Sequence, residues 1–128
     1  MLHHSSLVAF VSVSEPERAK TFYRDILGLQ LVKEDLPFVM MFDCNGSKLT
    51  LHIVGDKLAV VPYTVLGWDV DDLAGEIREL MGRGVTFERF PGLVQDELGI
   101  WTAPGGAAQV VWFKDPDGNL LSLSKSRV

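Results

Sequence analysis

Residues 112–124, WFKDPDGNLLSLS, decide the fold predicted for this chain. The DPDGN segment lies between two short apolar runs, and its proline and Gly118 favour a tight reversal, so the stretch predicts a β-hairpin. Residues 42–51, FDCNGSKLTL, repeat the pattern, with Thr50 in the place of Ser122. A chain that makes the same hairpin twice is expected to contain two copies of one unit.

The first copy begins with a strand and a helix. Residues 7–14 are rich in Val and free of breakers, which predicts a buried strand. Ser14 and Glu17 match the capping box of a helix start, and apolar side chains then recur at helical spacing as far as Gly28. Three further strands are predicted at residues 29–33, 38–43 and 48–54.

The second copy repeats this order. A strand at residues 63–70 is followed by a helix that Asp71 or Asp72 caps and Gly84 ends. Residues 85–90 predict the next strand, and the hairpin supplies the last two. The buried face of the helix is predicted to consist of Leu73, Ile77, Leu80 and Met81.

Residues 91–108 have no counterpart in the first copy. They contain Trp101 between two turn-forming regions. Two interpretations stay open: a mobile flap over a site, or an ordinary covering loop with a buried Trp.

Composition restricts the partners. The 128 residues are 47% hydrophobic and 23% charged, as in an ordinary soluble domain. The net charge of −5 argues against nucleic acid and anionic membranes, and suits a cationic small ligand better. Cys44 is the only cysteine, and there is neither a signal-peptide pattern nor a long apolar run. A cytoplasmic location is therefore expected.

Three stretches together resemble a known superfamily. They are VSVSEPERAKTFYRDILGLQLV at 11–32, WDVDDLAGEIRELMGRGVTFE at 68–88 and WFKDPDGNLLSL at 112–123. The chain resembles the vicinal oxygen chelate superfamily, which includes glyoxalase I, the bleomycin-resistance proteins and extradiol dioxygenases. The resemblance implies a single α+β domain of two tandem βαβββ modules, about residues 5–56 and 60–128. Curled mixed sheets would surround a cavity, with the helices outside, commonly in a homodimer.

The resemblance also locates the positions where metal-dependent members hold their ion. Those members use one side chain from the first strand and one from the last strand of each module. Here the positions are Val8, Thr50, Val65 and Ser122. Hydrocarbons and hydroxyls are not the imidazole, carboxylate or thiolate donors that such a metal needs. We therefore expect no metal and no cofactor, which argues against glyoxalase I and extradiol dioxygenase chemistry.

Side chains two residues apart on a strand share a face, which extends the predicted cavity lining. The added residues are Phe10, Ser12, His52, Gly67, Asp69 and Ser124. His52 and Asp69 are candidate catalytic residues, because a carboxylate can orient an imidazole as a general base. The alternative is a packed, hydrogen-bonded histidine and a carboxylate at a turn or strand edge.

Aromatic residues offer a second kind of contact. In the bleomycin-resistance relatives, aromatic side chains and acidic charge receive a planar cationic drug. Trp101, with Asp96 and Glu97 nearby, matches that pattern, although the two acids also suit a solvated surface. By strand counting, Trp68 and Trp112 are expected to face the helices instead.

Three functions stay open from the sequence. The first is a metal-free protein of the bleomycin-resistance kind that binds a small organic ligand, cationic or aromatic. The second is a lyase, isomerase or dioxygenase-type enzyme that uses His52 and Asp69 or an unusual metal site. The third is a scaffold with a vestigial cavity. The expected partners are a small molecule and a second copy of the chain.

Overall fold

The computed structural model describes residues 1–126, and it confirms the α+β prediction. The strands form two mixed sheets of four strands each. The chain divides into two compact units, Met1–Val60 and Val61–Val128, and each unit contains one of the sheets. No helix within the described residues is both long and apolar enough to cross a bilayer.

The first unit follows the predicted order of strand, helix and three strands. Its sheet has the order β1-β4-β3-β2, in which only the β1–β4 pair is parallel. The elements are β1 (Val8–Val13), α1 (Pro16–Lys20) with a π-helical continuation (Thr21–Ile26), β2 (Gln30–Asp35), β3 (Val39–Cys44) and β4 (Ser47–Ile53).

Glu15, and not the predicted Ser14, caps α1. The Glu15 carboxylate accepts hydrogen bonds from the backbone N–H groups of Glu17 and Arg18, at 3.0 and 2.7 Å. The backbone of Glu15 is extended, so its side chain folds back over the first turn and satisfies both donors. The predicted cap was wrong by one residue, and the predicted helix is confirmed.

The core of the first unit lies on one side of its sheet. Tyr23 and Phe42 are fully buried there, with ring centroids 6.3 Å apart. Along β1, alternate side chains reach this core, and the residues between them are exposed. The buried apolar residues are Val11, Val13, Ala19, Phe22, Tyr23, Met40, Phe42, Leu49 and Leu51.

The second unit repeats the topology with the order β5-β8-β7-β6. Asp72 caps its helix, and its Oδ1 accepts a hydrogen bond from the Gly75 N–H at 3.1 Å. The elements are β5 (Thr64–Asp69), α2 (Leu73–Gly82), β6 (Trp101–Thr102), β7 (Ala108–Lys114) and β8 (Leu120–Ser126).

Two predictions for the second unit were wrong. Residues 85–90 form only a single bridge, Phe87 to Phe113, and the edge strand is β6 instead. The side chain of Gln95 occupies the Phe90 N–H and the Glu88 carbonyl, which are therefore unavailable for a strand ladder. Met81 is 53% exposed, because the buried stripe of α2 is narrower than predicted.

The terminal hairpin is confirmed, and Asp115 holds its turn. Asp115 Oδ1 accepts hydrogen bonds from the N–H groups of Asp117 and Asn119, at 3.0 and 2.9 Å. Its Oδ2 accepts one from the Asn119 side-chain amide at 2.8 Å. Asp115 is buried, so these bonds replace the water that the carboxylate loses. Gly118 takes the left-handed conformation, φ 92°, that the turn requires.

Candidate functional site

One face of the first sheet carries the five site residues predicted for this unit. Phe10 lies opposite Thr50 and Ser12 lies opposite His52 in the parallel β1–β4 pair. Val11 and Val13 point into the core, so Val8, Phe10 and Ser12 point to the other side. Phe10 is 68% exposed, whereas Thr50 is buried. The predicted residues are Val8, Phe10, Ser12, Thr50 and His52.

The second sheet has an equivalent face. Gly67 lies opposite Ser122, and Asp69 lies opposite Ser124, in the parallel β5–β8 pair. At these two pairs the register repeats that of the first unit, in which Phe10 corresponds to Gly67 and Thr50 to Ser122. A register shift between Thr64 and Leu66, which the first unit lacks, falls at Val65. The predicted residues of this face are Val65, Gly67, Asp69, Ser122 and Ser124.

Trp112 lies on this same face, which corrects the prediction that it faces the helices. It pairs directly with Ser122 in the antiparallel β7–β8 ladder, and such partners point to the same side. Its neighbours Val111 and Phe113 take the buried side. Trp68 pairs with Leu123 on the buried side, as predicted.

Trp112 is the centre of an aromatic cluster. Its ring centroid lies 6.3 Å from that of Trp101 and 5.4 Å from that of Phe90, the latter in an edge-to-face arrangement. We call these three residues the aromatic wall. Sequence reasoning identified Trp101 but missed Trp112 and Phe90. Counting outward from the DPDGN turn pairs residue 112 with residue 122, so the signal for Trp112 was present.

Hydrogen bonds within the segment between α2 and β6 hold its conformation. They favour the interpretation of this segment as a covering loop over its interpretation as a mobile flap. The Gln95 side chain accepts from the Phe90 N–H at 2.9 Å and donates to the carbonyls of Glu88 and Gly99, at 3.0 and 2.8 Å. The Arg89 guanidinium donates to two further carbonyls of the loop. These bonds position Phe90 beside Trp112.

Asp96 is an exposed residue of the same loop, and one of its carboxylate oxygens has a structural role. Its Oδ1 accepts hydrogen bonds from the N–H groups of Leu98 and Ile100, both at 2.9 Å. These two bonds give Asp96 a role in holding the loop, and its role towards a ligand stays a prediction. Glu97 is exposed, as expected for a solvated acid.

The candidate catalytic pair belongs to two different units, His52 to the first and Asp69 to the second. Asp69 Oδ1 accepts a hydrogen bond from the Ser126 N–H at 3.1 Å. Asp69 thus fastens the end of β8, which is the structural role proposed as the alternative. His52 is exposed and makes no ion pair within residues 1–126.

Two four-stranded mixed sheets, each with a strand–helix–strands order, define a protein of the tandem βαβββ class. The chain belongs to the glyoxalase/bleomycin resistance protein/dioxygenase superfamily, whose family model matches residues 2–123. The resemblance inferred from the sequence is thereby confirmed. No curated protein sequence matches the chain.

Solved structures show the same fold. A superfamily member from Sphaerobacter thermophilus has a TM-score of 0.74 and 25% identity, covering 94% of this chain and 96% of that chain. A lactoylglutathione lyase from Agrobacterium tumefaciens has a TM-score of 0.71 and 18% identity, covering 94% and 93%. A protein of the superfamily from Alicyclobacillus acidocaldarius has a TM-score of 0.67 and 19% identity, covering 97% and 92%.

The metal of the metal-dependent relatives does not fit the residues of this chain. The four positions implied by the resemblance carry the hydrocarbons Val8 and Val65 and the neutral hydroxyls Thr50 and Ser122. Such a set lacks the donors that bind zinc or similar divalent ions. Within residues 1–126, no three His, Cys, Asp or Glu side chains are grouped so that they could share an ion.

Proposed function

We propose that this protein binds a small aromatic ligand, neutral or cationic, without a resident metal ion. The ring of the ligand lies against the aromatic wall, and Ser122 and Ser124 offer hydroxyl groups beside it. One observation carries the proposal. The Trp112 indole lies next to Ser122. Ser122 occupies the position that the resemblance assigns to a metal-binding carboxylate.

Two features of the second unit support a flat ligand. Gly67 has no side chain, so the sheet face is bare opposite Ser122. A Cβ atom at residue 67 would lie 2.5 Å from the Ser122 Oγ. Trp101 and Trp112 present large apolar surfaces next to this opening. Planar ligands stack on such rings, and Trp is also the strongest partner for a cation. The net charge of −5 further favours cationic over anionic ligands at the wall.

We propose lining residues for each unit by itself. In the first unit they lie on one sheet face, and in the second they lie on a sheet face together with the aromatic wall. The residues are Val8, Phe10, Ser12, Thr50, His52, Val65, Gly67, Asp69, Trp101, Ser122 and Ser124, to which the structure adds Phe90 and Trp112.

Thermal unfolding in the presence of acridines tests ligand binding. We expect 9-aminoacridine, a planar cation, to stabilise the protein, by roughly 2.7 kcal/mol at about 100 times its dissociation constant. Acridine tests whether a neutral flat ring is sufficient to stabilise the protein. Cyclohexylamine, a cation without a flat ring, should leave the thermal unfolding unchanged. Equal stabilisation by cyclohexylamine, or none by either acridine, would count against the proposal.

Metal analysis tests the proposal that the protein holds no resident metal ion. Protein stripped with EDTA and then dialysed against zinc, nickel or manganese should retain no stoichiometric ion. Retention of one ion per chain, lost when Thr50 and Ser122 are replaced by Ala, would contradict a metal-free site.

We also infer a homodimer and a cytoplasmic location. Leu7, Phe10 and Phe38 of the first unit are 75%, 68% and 62% exposed. Several large apolar side chains exposed in one unit are typical of a surface that a partner covers. Cys44 is the only cysteine in the sequence, which fits a reducing compartment.

A further inference from the structure

A cavity of about 550 Å³ opens in the first unit, where β1 and β4 end side by side. Ser12 and His52, which pair across these parallel strands, line one part of it. The last residue of β4 and the chain that leaves it line the rest, with Ile53, Val54, Lys57, Leu58 and Ala59. A volume of this size lies within the range typical of small-molecule sites.

Backbone hydrogen bonds hold the wall of this cavity. The Val54 N–H donates to the Val13 carbonyl at 2.9 Å, which ties the departing chain to the end of β1. The Lys57 N–H donates to the Val54 carbonyl at 3.2 Å, within a short 3₁₀ turn, Gly55–Lys57. Lys57 is thus attached to the sheet through a short, hydrogen-bonded connection.

The polar groups of the cavity suit an anion. Lys57 carries an ammonium group, His52 and Ser12 can donate through ring nitrogen and hydroxyl, and none of the lining side chains is a carboxylate. Neither Lys57 nor His52 makes an ion pair in the part of the chain described. Lys57 is the only Lys, Arg, Asp or Glu among the residues that line this cavity, and Asp56, its neighbour in the same turn, is not part of the lining.

The remaining wall is hydrocarbon. Ile53, Val54 and Leu58 are each partly buried and supply apolar surface beside the donors. A ligand that matches both halves carries one negative charge and a short aliphatic chain, because the chain removes this apolar surface from water.

We propose that the cavity is a second ligand site, which binds a small aliphatic carboxylate. Its carboxylate group binds Lys57 and His52, and its tail packs against Ile53, Val54 and Leu58. Ser12 and His52 belong to the sheet face of the first unit that the proposed function already names, so this inference rests on that part of the proposal and specifies its ligand. The aromatic wall belongs to the second unit and receives a ring, so loss of hexanoate binding and loss of acridine binding are distinguishable outcomes.

Titration of the full-length protein with sodium hexanoate, followed by ¹H–¹⁵N NMR, tests this site. Hexanoate has no ring, and hexanamide provides the uncharged ligand of nearly equal shape. We expect hexanoate to shift the amide signals of Ser12, His52, Val54 and Leu58, and hexanamide to bind about fivefold more weakly.

Replacing Lys57, with Lys33 as the control, tests whether the charge of Lys57 contributes to hexanoate binding. Lys57→Gln should weaken hexanoate about fivefold and leave hexanamide unchanged. Lys33→Gln removes the same charge from an exposed residue of β2 outside the cavity, and it should leave both ligands unchanged. His52→Gln, which retains a hydrogen-bond donor, should weaken hexanoate less than His52→Ala does.

Three results would overturn the proposal. They are an absence of shifts at the cavity amides, equal affinity for hexanoate and hexanamide, or equal weakening by Lys57→Gln and Lys33→Gln. Since the substituted lysines are exposed, both variants should fold, and their unperturbed spectra establish this before any ligand is added.

Discussion

Trp112 and Ser122 are direct partners across the β7–β8 ladder, so the indole and the hydroxyl lie on the same face of the second sheet. By the resemblance, residue 122 occupies the position at which metal-dependent members of the superfamily carry a metal-binding carboxylate. Here a neutral hydroxyl stands beside an indole, and Trp101 and Phe90 extend the aromatic surface. We propose that this position contacts a ring and does not hold a metal ion.

Gly67 and Ser122 should be energetically coupled. Gly67→Ala places a Cβ atom 2.5 Å from the Ser122 Oγ, so the serine side chain must rotate about χ1, and we expect a loss of no more than about 1 kcal/mol in the free energy of unfolding. Ser122→Ala removes that oxygen, and the nearest remaining atoms are the carbonyl oxygen and the Cβ of residue 122, at the ordinary distances of 3.4 and 3.8 Å. In urea denaturation, the double variant should recover most of the loss. Additive effects of the two substitutions would contradict the close approach.

Gln95 should hold Phe90 in place. Gln95→Ala removes three hydrogen bonds to the backbone, and we expect a loss of about 1–3 kcal/mol in local stability. Hydrogen exchange at the Phe90 amide should accelerate accordingly. Gln30→Ala, an exposed amide on β2, is the control and should change nothing. Unchanged exchange in Gln95→Ala would show that the loop does not depend on this side chain.

Asp115 should be essential to the stability of the terminal hairpin. Asp115→Ala leaves the Asn119 side chain and two N–H groups without their acceptor, at a cost of about 3 kcal/mol. The midpoint of urea denaturation measures this effect. Asp71→Ala removes the same charge from an exposed bend and should cost less than about 0.5 kcal/mol. Equal effects of the two substitutions would exclude the hydrogen-bonded turn as the cause.

The protein should form a dimer in solution. Light scattering coupled to size-exclusion chromatography should give about twice the chain mass of 14.2 kDa. Phe10→Lys, on the exposed side of β1, should weaken the dimer because it places a charge in an apolar contact. A mass of 14.2 kDa at every concentration would contradict the inferred dimer.

The sequence predicted the modular fold well because its strongest signals are local. The DPDGN turn, the apolar helix faces and the Val-rich strand at residues 7–14 each depend on residues close in the chain. The edge strand of the second unit was not predictable in this way. Residues 85–90 have strand composition, but the Gln95 side chain occupies two of their backbone groups.

Only part of the site was predicted, because the sequence signals that locate its residues are also local. Spacing within a strand placed Ser122 and Ser124 together, and the observed pairings agree with that spacing. Trp112 was assigned to the wrong face because its position was not counted from the hairpin turn, which sets the register of β7 against β8. Phe90 reaches the wall through a loop, and no periodic pattern describes its side chain.

The most direct test of the central claim compares the two tryptophans on opposite faces of the second sheet. Calorimetric titration of EDTA-treated protein with 9-aminoacridine should show binding that Trp112→Leu weakens about tenfold, since a desolvated cation–π contact contributes about 1–2 kcal/mol. Trp68→Leu, on the buried side, should bind as the unaltered protein does. Equal affinity in Trp112→Leu, or binding only after a metal is restored, would contradict the account.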